Sequence, residues 1–251
     1  MTGPPHAPDA EFAERAVYLA GPDALVVADL HVGRGEASAV SLPLGERADL
    51  TDRLAALLDR FEPATLVVAG DVVHTFDRVS DRAAETLRAV REACSARGAE
   101  LRLVAGNHDT ALAAAWDGPV SDSVVLEAGA SRPEGPESDG PSRTTVVCHG
   151  HEPPSAPADR YVFGHVHPTI EIEGDRRPCF LSGAGAYRGA DVLLVPAFTR
   201  LAAGVAVNRL RADGFDSPLV TDAADLAPIV YDGGSEEALL FPPLGEFREL
   251  L

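Results

Sequence analysis

Short apolar runs, each closed by a small polar cluster, organise the first half of this 251-residue chain. Residues 24–28 are apolar throughout and too short for a core helix, so they predict a buried strand that ends at Asp29. Residues 49–60 place Leu50, Leu54, Leu57 and Leu58 at helical spacing with charges between them. That is an amphipathic helix, stopped before Pro63. Residues 65–69 repeat the strand pattern and end at Gly70-Asp71. Ser80-Asp81 is an N-cap signature for a second helix reaching about Arg97, with Gly98 as its stop. Residues 101–105 predict a third strand, ending at Gly106-Asn107. Strand and helix alternate, which argues for parallel strands joined by crossover helices.

The second half reads as strands. Residues 124–126 and 144–148 predict two, joined by residues 130–143, whose Pro, Gly, Ser and acids predict a mobile surface loop. Residues 161–163 form a short strand feeding Gly164-His165. Residues 170–172, 179–181, 192–196 and 205–210 continue as strands. Residues 214–251 are acidic and weakly patterned, an extension whose role the pattern does not assign. The fold class expected is α/β: a two-sheet β-sandwich flanked by helices, in a single domain over residues 1–251 with its motif core at about 24–210.

Composition narrows the setting. Thirty-nine acids stand against 21 bases, for a net charge of −18. Every base is an arginine, because the chain has no lysine. Acid surplus with lysine depletion predicts adaptation to high salt; codon bias toward arginine explains the lysine loss equally well. The charge argues against a broad basic surface for nucleic acid, since phosphate contacts supply most non-specific binding. Cys94, Cys148 and Cys179 lack paired spacing and read as buried small hydrophobes in a reducing cytoplasm. No window approaches the ~18 uninterrupted apolar residues of a membrane span, and the polar, Pro-rich start containing His6 lacks an apolar signal core.

Five polar motifs sit at the predicted strand ends: Asp29-Leu30-His31, Gly70-Asp71, Gly106-Asn107-His108-Asp109, His149-Gly150-His151 and Gly164-His165-Val166-His167. Their carboxylates, imidazoles and carboxamide are the ligand types of a borderline divalent metal. Asp29 and His31 at i and i+2 share a face and can chelate one ion, as can His165 and His167. Asp71 offers two carboxylate oxygens, enough to bridge two ions. Asn107 offers a neutral oxygen where further carboxylates would repel.

The same residues resemble the calcineurin-like metallophosphoesterase superfamily over about residues 25–168. Asp29-Leu30-His31-Val32-Gly33, Gly70-Asp71-x-x-His74, His149-Gly150-His151 and the later Pro196-Ala197-Phe198, Gly204 and Asn208 are similar to two branches of it. These are the small archaeal phosphoesterases related to the SbcD-type nucleases, and the bacterial ligase-associated phosphoesterases. The resemblance implies a dimetal site at strand C-terminal ends, with Mn the expected metal and Fe, Zn or Ni the other candidates. It implies that Asp29, His31 and His167 hold one ion, that Asn107, His149 and His165 hold the other, and that Asp71 bridges. It places His108 opposite the scissile phosphate as proton donor, with Asp109 orienting that ring by accepting its N–H; capping the turn after the strand suits Asp109 equally well. Two such ions activate water and brace the attacking and leaving oxygens of an in-line displacement.

Arg34, His74 and His151 are expected to meet substrate, although a loop cap, a surface ion pair or a position beside the ligands suits each of them as well. Arg188 belongs with Arg34. Trp116, the sole tryptophan, is placed in core packing rather than base stacking. The expected activity is a dimetal phosphoesterase acting on phosphodiester or phosphomonoester bonds, with nucleotide or nucleic-acid substrates. Two alternatives stay open, a catalytically silent binding scaffold of this fold and a partner-guided DNA repair nuclease.

Overall fold

The computed structural model describes residues 4, 7–37, 45–127, 143–210 and 214–247. Most of the expected loop at 130–143, and His6, lie outside them. Six strands build the first sheet in chain order: β1 (Ala10–Ala13), β2 (Ala16–Leu19), β3 (Ala24–Val27), β4 (Thr65–Ala69), β5 (Glu100–Val104) and β6 (Val120–Ser121). β1 to β3 pair antiparallel, whereas β3 to β6 run parallel. The first helix, α1 (Arg34–Ala37), is one short turn after β3. Between β3 and β4 lies α2 (Glu46–Phe61), which buries Leu50, Leu54, Leu57, Leu58 and Phe61. Between β4 and β5 lies α3 (Asp81–Ser95). Its N-cap is Ser80, whose hydroxyl accepts from the Ala83 amide at 3.0 Å, and Gly98 at φ 75° follows its end.

The remaining strands are β7 (Ser123–Glu127), β8 (Thr144–Cys148), β9 (Arg160–Phe163), β10 (Pro168–Ile172), β11 (Asp175–Pro178), β12 (Phe180–Tyr187), β13 (Ala190–Leu194), β14 (Val205–Ala206), β15 (Ala227–Asp232) and β16 (Glu237–Leu240). Seven form the second sheet in the order β16-β15-β12-β13-β9-β8-β7, and β11-β10-β14 form a small third one. Within the second sheet β8, β9 and β13 are mutually parallel.

Alternation across the pleat explains the layering. Val26, Val67, Ala69 and Val104 face Val147, Val162, Leu193 and Ile229 in a core between the two large sheets. The opposite face of the first sheet buries Leu25, Val27, Leu66 and Val68 under α2 and α3. The chain is thus an α/β two-sheet sandwich with helices on its first sheet. No described helix is long and apolar enough to cross a membrane. All three cysteines are buried and free.

One expected strand ends early, and two parts of the chain that the pattern leaves unassigned are structured. The hairpin β1–β2 was not anticipated; it is anchored by Arg160, only 1% exposed, whose guanidinium donates to both Asp9 carboxylate oxygens at 2.8 and 2.9 Å. Burial opposes that carboxylate charge, but Arg160 outweighs it and holds Asp9 below the usual range. The strand expected over 205–210 stops at Ala206, because Val207–Arg209 turns into a 3-10 helix. There Asn208 grips the β10 backbone, accepting from the Glu171 amide at 3.1 Å and donating to its carbonyl at 2.8 Å. Finally, the acidic C-terminal segment is structured: β15 and β16 extend the second sheet, and Leu219, Leu226, Leu244 and Phe247 cover its outer face. The last two belong to the helical turn α4 (Leu244–Phe247) and its start.

Candidate metal centre

Five parallel strands from two sheets deliver the motif residues to one rim. β3, β4 and β5 lead to Asp29, Asp71 and Asn107; β8 and β9 lead to His149 and His165. The backbone at the rim is bent out of strand geometry: φ is 54° at Asp29, 46° at His31, 47° at Asp71, 68° at His165 and 51° at His167. Left-handed backbone costs an L-residue on the order of 1 kcal/mol, and such outliers collect where side chains must converge. Hydrogen bonds between motifs hold the bend. The amides of Asp29 and His31 donate to the carbonyls of Gly70 and Asp71 at 3.1 and 2.8 Å. The His165 amide donates to the Asp29 carboxylate at 3.0 Å.

The glycines are there for clearance. A Cβ on Gly70 would lie 2.3 Å from Nδ1 of His149, and one on Gly106 would lie 2.2 Å from the Asp71 amide nitrogen. Gly70, Gly106 and Gly164 each lack a side chain where a functional residue of another motif sits against the backbone.

Two donor sets result. In the first, Asp29, His31, Asp71 and His167 offer ligand atoms all within 4.8 Å of one another. Nε2 of His31 is 3.2 Å from Nε2 of His167 and 3.6 Å from Oδ2 of Asp71. In the second, Nε2 of His149 is 2.9 Å from Oδ1 of Asn107, 3.2 Å from Nδ1 of His165 and 3.3 Å from Oδ1 of Asp71. Asp71 therefore turns one oxygen toward each set. Nδ1 of His149 lies 3.1 Å from the Ala69 carbonyl; an N–H there leaves its Nε2 as a lone pair facing the second set.

The electrostatics of this rim call for a cation. Asp29 and Asp71 are 0% and 2% exposed, and their ion-pair partners among the described residues are histidines. Burial, reinforced by His167, pushes His31 down to about 2. Burial likewise pushes His149 down to about 4 and lowers His165. Only at His167 do the Asp29 hydrogen bond and charge outweigh burial and raise the imidazole. Buried carboxylates are paired or hold metal, and neutral imidazoles are metal donors. The cluster of buried carboxylates and imidazoles is able to hold metal.

His108 borders both sets and forms a further group with His31 and His74, their ligand nitrogens within 4.8 Å of one another. Nδ1 lies 3.0 Å from the His74 carbonyl, and Nε2 lies 3.9 Å from Oδ2 of Asp71. The expectation that Asp109 accepts the His108 ring N–H is corrected here. The Asp109 carboxylate instead accepts three backbone amides, from Val73 at 2.9 Å, Gly106 at 2.8 Å and Val72 at 3.2 Å. It ties the loop carrying Asp71 to the loop carrying Asn107, and the ring is oriented by a backbone carbonyl. Burial pushes the Asp109 carboxyl up to about 6 against those donors. Asp109→Asn puts an NH2 where an amide N–H now points, so about 1–3 kcal/mol of stability is expected to be lost, measured by urea denaturation of the metal-free protein.

The remaining candidates separate. Burial lowers His74, as it does His31, and the charge of Arg34 adds to both; the Arg34 Nε donates to the Leu201 carbonyl at 3.1 Å. The His74 ring lies 5.5 Å from that of His31 and 5.8 Å from that of His108. His151 packs 5.1 Å from His149, behind the second donor set, with its Nε2 3.9 Å from Glu152. Arg188 lies over Tyr187 on an exposed turn of the second sheet. Trp116 is capped by Arg91 at 3.8 Å and packs on the helix-side core. Phe198 and Gly204 support the rim: the Phe198 amide donates to the Ala28 carbonyl, and a Cβ on Gly204 would press on the His167 carbonyl at 2.7 Å. Sequence reasoning passed over Phe76, whose ring stacks on His108 at 4.2 Å. Its only signal was an aromatic residue in a polar loop five positions after Asp71.

Fold and site together define a class. The family model for calcineurin-like phosphoesterases matches residues 23–169, and the chain belongs to that family, whose members typically bind two divalent metals. Among solved structures it is similar to nuclease MPE from Pseudomonas putida, with 25% identity over 87% of this chain and 90% of that one and a TM-score of 0.55. YfcE, a phosphoesterase from E. coli, is 14% identical over 86% of this chain and 96% of that one, with a TM-score of 0.42. No curated protein matches the sequence.

Proposed function

We propose that this chain is a two-metal phosphodiesterase acting on nucleotides or nucleic acid. One ion would be held by Asp29, His31, Asp71 and His167, the other by Asp71, Asn107, His149 and His165. The observation that carries the reading is Asp71, with one carboxylate oxygen in each donor set, next to an imidazole that belongs to neither. The mixture of oxygen and imidazole donors suits Mn. Similarity to a nuclease favours the diester over the monoester.

When bound, the ions supply an acidified water and bracing of the phosphate oxygens. The chain supplies the rest. The His74 carbonyl holds the His108 ring by its Nδ1–H, so Nε2 faces the centre and gives its proton to the departing oxygen when the ring enters protonated. Arg34 and His74 border the side where the phosphate charge would lie. A chain with 39 acids against 21 bases makes the ions, not a basic groove, the means of recruiting phosphate.

The test uses bis-p-nitrophenyl phosphate, p-nitrophenyl phosphate, and single- and double-stranded DNA, in high and low salt, with Mn or with EDTA. Mn-dependent cleavage of the diester, abolished by EDTA, is the expected result, with the monoester slower. Absence of hydrolysis by a protein shown to carry two ions overturns the reading and leaves a binding scaffold. DNA cleavage identifies a nuclease; cleavage of the small diester alone identifies a nucleotide phosphodiesterase.

A further inference from the structure

We infer that Phe76 is a base-stacking platform that selects substrates bearing a nucleobase next to the reacting phosphate. The inference rests on the phosphodiesterase reading above and adds a specificity determinant to it. Phe76 lies between β4 and α3 and is 51% exposed, the most exposed of the large apolar side chains among the described residues. Exposed single hydrophobics are ordinary on protein surfaces, but this one stands at the centre. Its ring stacks on His108 at 4.2 Å with an interplanar angle of 30°.

The loop is pinned in place. The Thr110 hydroxyl, just beyond the Asn107-His108-Asp109 turn, donates to the Phe76 carbonyl at 2.7 Å, and the Thr75 hydroxyl donates to the Arg78 carbonyl at 2.6 Å. With its backbone carbonyl pinned and one face on His108, the Phe76 ring has an open side for a flat partner. Phosphate and base are joined through one sugar, so a nucleotide whose phosphate meets His108 carries its base within reach of Phe76. Every base has a π-face, so such a platform favours bases over base-free esters with little preference among them.

The experiment compares cleavage of the dinucleotide dTpdT with that of its two analogues in which one or the other nucleoside is an abasic tetrahydrofuran spacer. Wild type, Phe76→Ala, Phe76→Leu and Phe76→Trp are assayed with Mn. The wild type is expected to prefer dTpdT over one of the abasic analogues by about 5- to 100-fold in kcat/KM, the range of a single base–aromatic stack. Phe76→Ala and Phe76→Leu should collapse that ratio toward one, and Phe76→Trp should keep it. Equal loss on all three substrates would make Phe76 a buttress of His108 and overturn the proposal, as would a wild type without preference.

Calorimetry separates this outcome from failure of the phosphodiesterase reading. In Mn-loaded protein, Phe76→Ala should weaken thymidine 5′-monophosphate at least about fivefold relative to inorganic phosphate, whether or not any diester is cleaved. Parallel weakening of both probes, or of neither, rejects the platform.

Discussion

Asp71→Asn is expected to abolish Mn-dependent hydrolysis, lowering kcat/KM by on the order of 10³-fold or more. Loss of a group that merely supports a metal ligand costs ~10–100-fold, and Asp71 serves both donor sets at once. Its Oδ2 lies 3.6 Å from the His31 nitrogen and its Oδ1 3.3 Å from the His149 nitrogen. An amide keeps the oxygen that accepts the His108 backbone N–H at 3.0 Å, so the loop should close normally. Bound Mn, measured by elemental analysis, should fall from two per chain to one or none.

Stability should move in the opposite direction. In EDTA, Asp29 and Asp71 are two buried carboxylates beside His31 and His149, whose charged forms burial opposes. Removing one charge relieves that site, so metal-free Asp71→Asn should melt no lower than metal-free wild type. With Mn at 100 times its dissociation constant the wild type gains about 2.7 kcal/mol, a gain the variant should lack. Retention of two ions with full activity would remove Asp71 from the bridging role.

The sequence shows this centre clearly because parallel strands send their ends to one rim. Any polar residue closing such a strand is a candidate, and Asp29, Asp71, Asn107, His149 and His165 were all found by that rule. The helices were equally legible, since Leu50, Leu54, Leu57 and Leu58 mark one face and Ser80 caps the next helix. What stayed hidden depends on contacts distant in the chain. The β1–β2 hairpin is fixed by Asp9 meeting Arg160, 151 positions away. The C-terminal segment, with leucines and phenylalanines too scattered for either period, is fixed by the pairing of β15 with β12 and by packing on the second sheet. Asp109 shows the limit most directly. Its place in the motif reads off the chain, yet its partners include backbone amides of residues 72 and 73, and no spacing reveals where a carboxylate points.

His108→Ala is expected to lower kcat by about 10²–10⁴-fold on substrates with an alkoxide leaving group, the usual worth of a positioned general acid. Ion content should be unchanged, because His108 stands outside both donor sets with its Nε2 3.9 Å from Asp71. The leaving group is the discriminating variable. An oxygen departing from a nucleoside sugar needs a proton, whereas p-nitrophenolate leaves readily as an anion. The same variant should therefore lose only about tenfold or less on bis-p-nitrophenyl phosphate. A plot of log kcat against leaving-group pKa should be shallow for wild type and steep for the variant. His108→Gln sharpens the test, since its side chain can still hydrogen-bond but cannot deliver a proton at neutral pH. It should follow alanine on alkyl esters. Equal losses on aryl and alkyl esters would show instead that His108 binds the phosphate, and that the proton reaches the leaving oxygen from solvent.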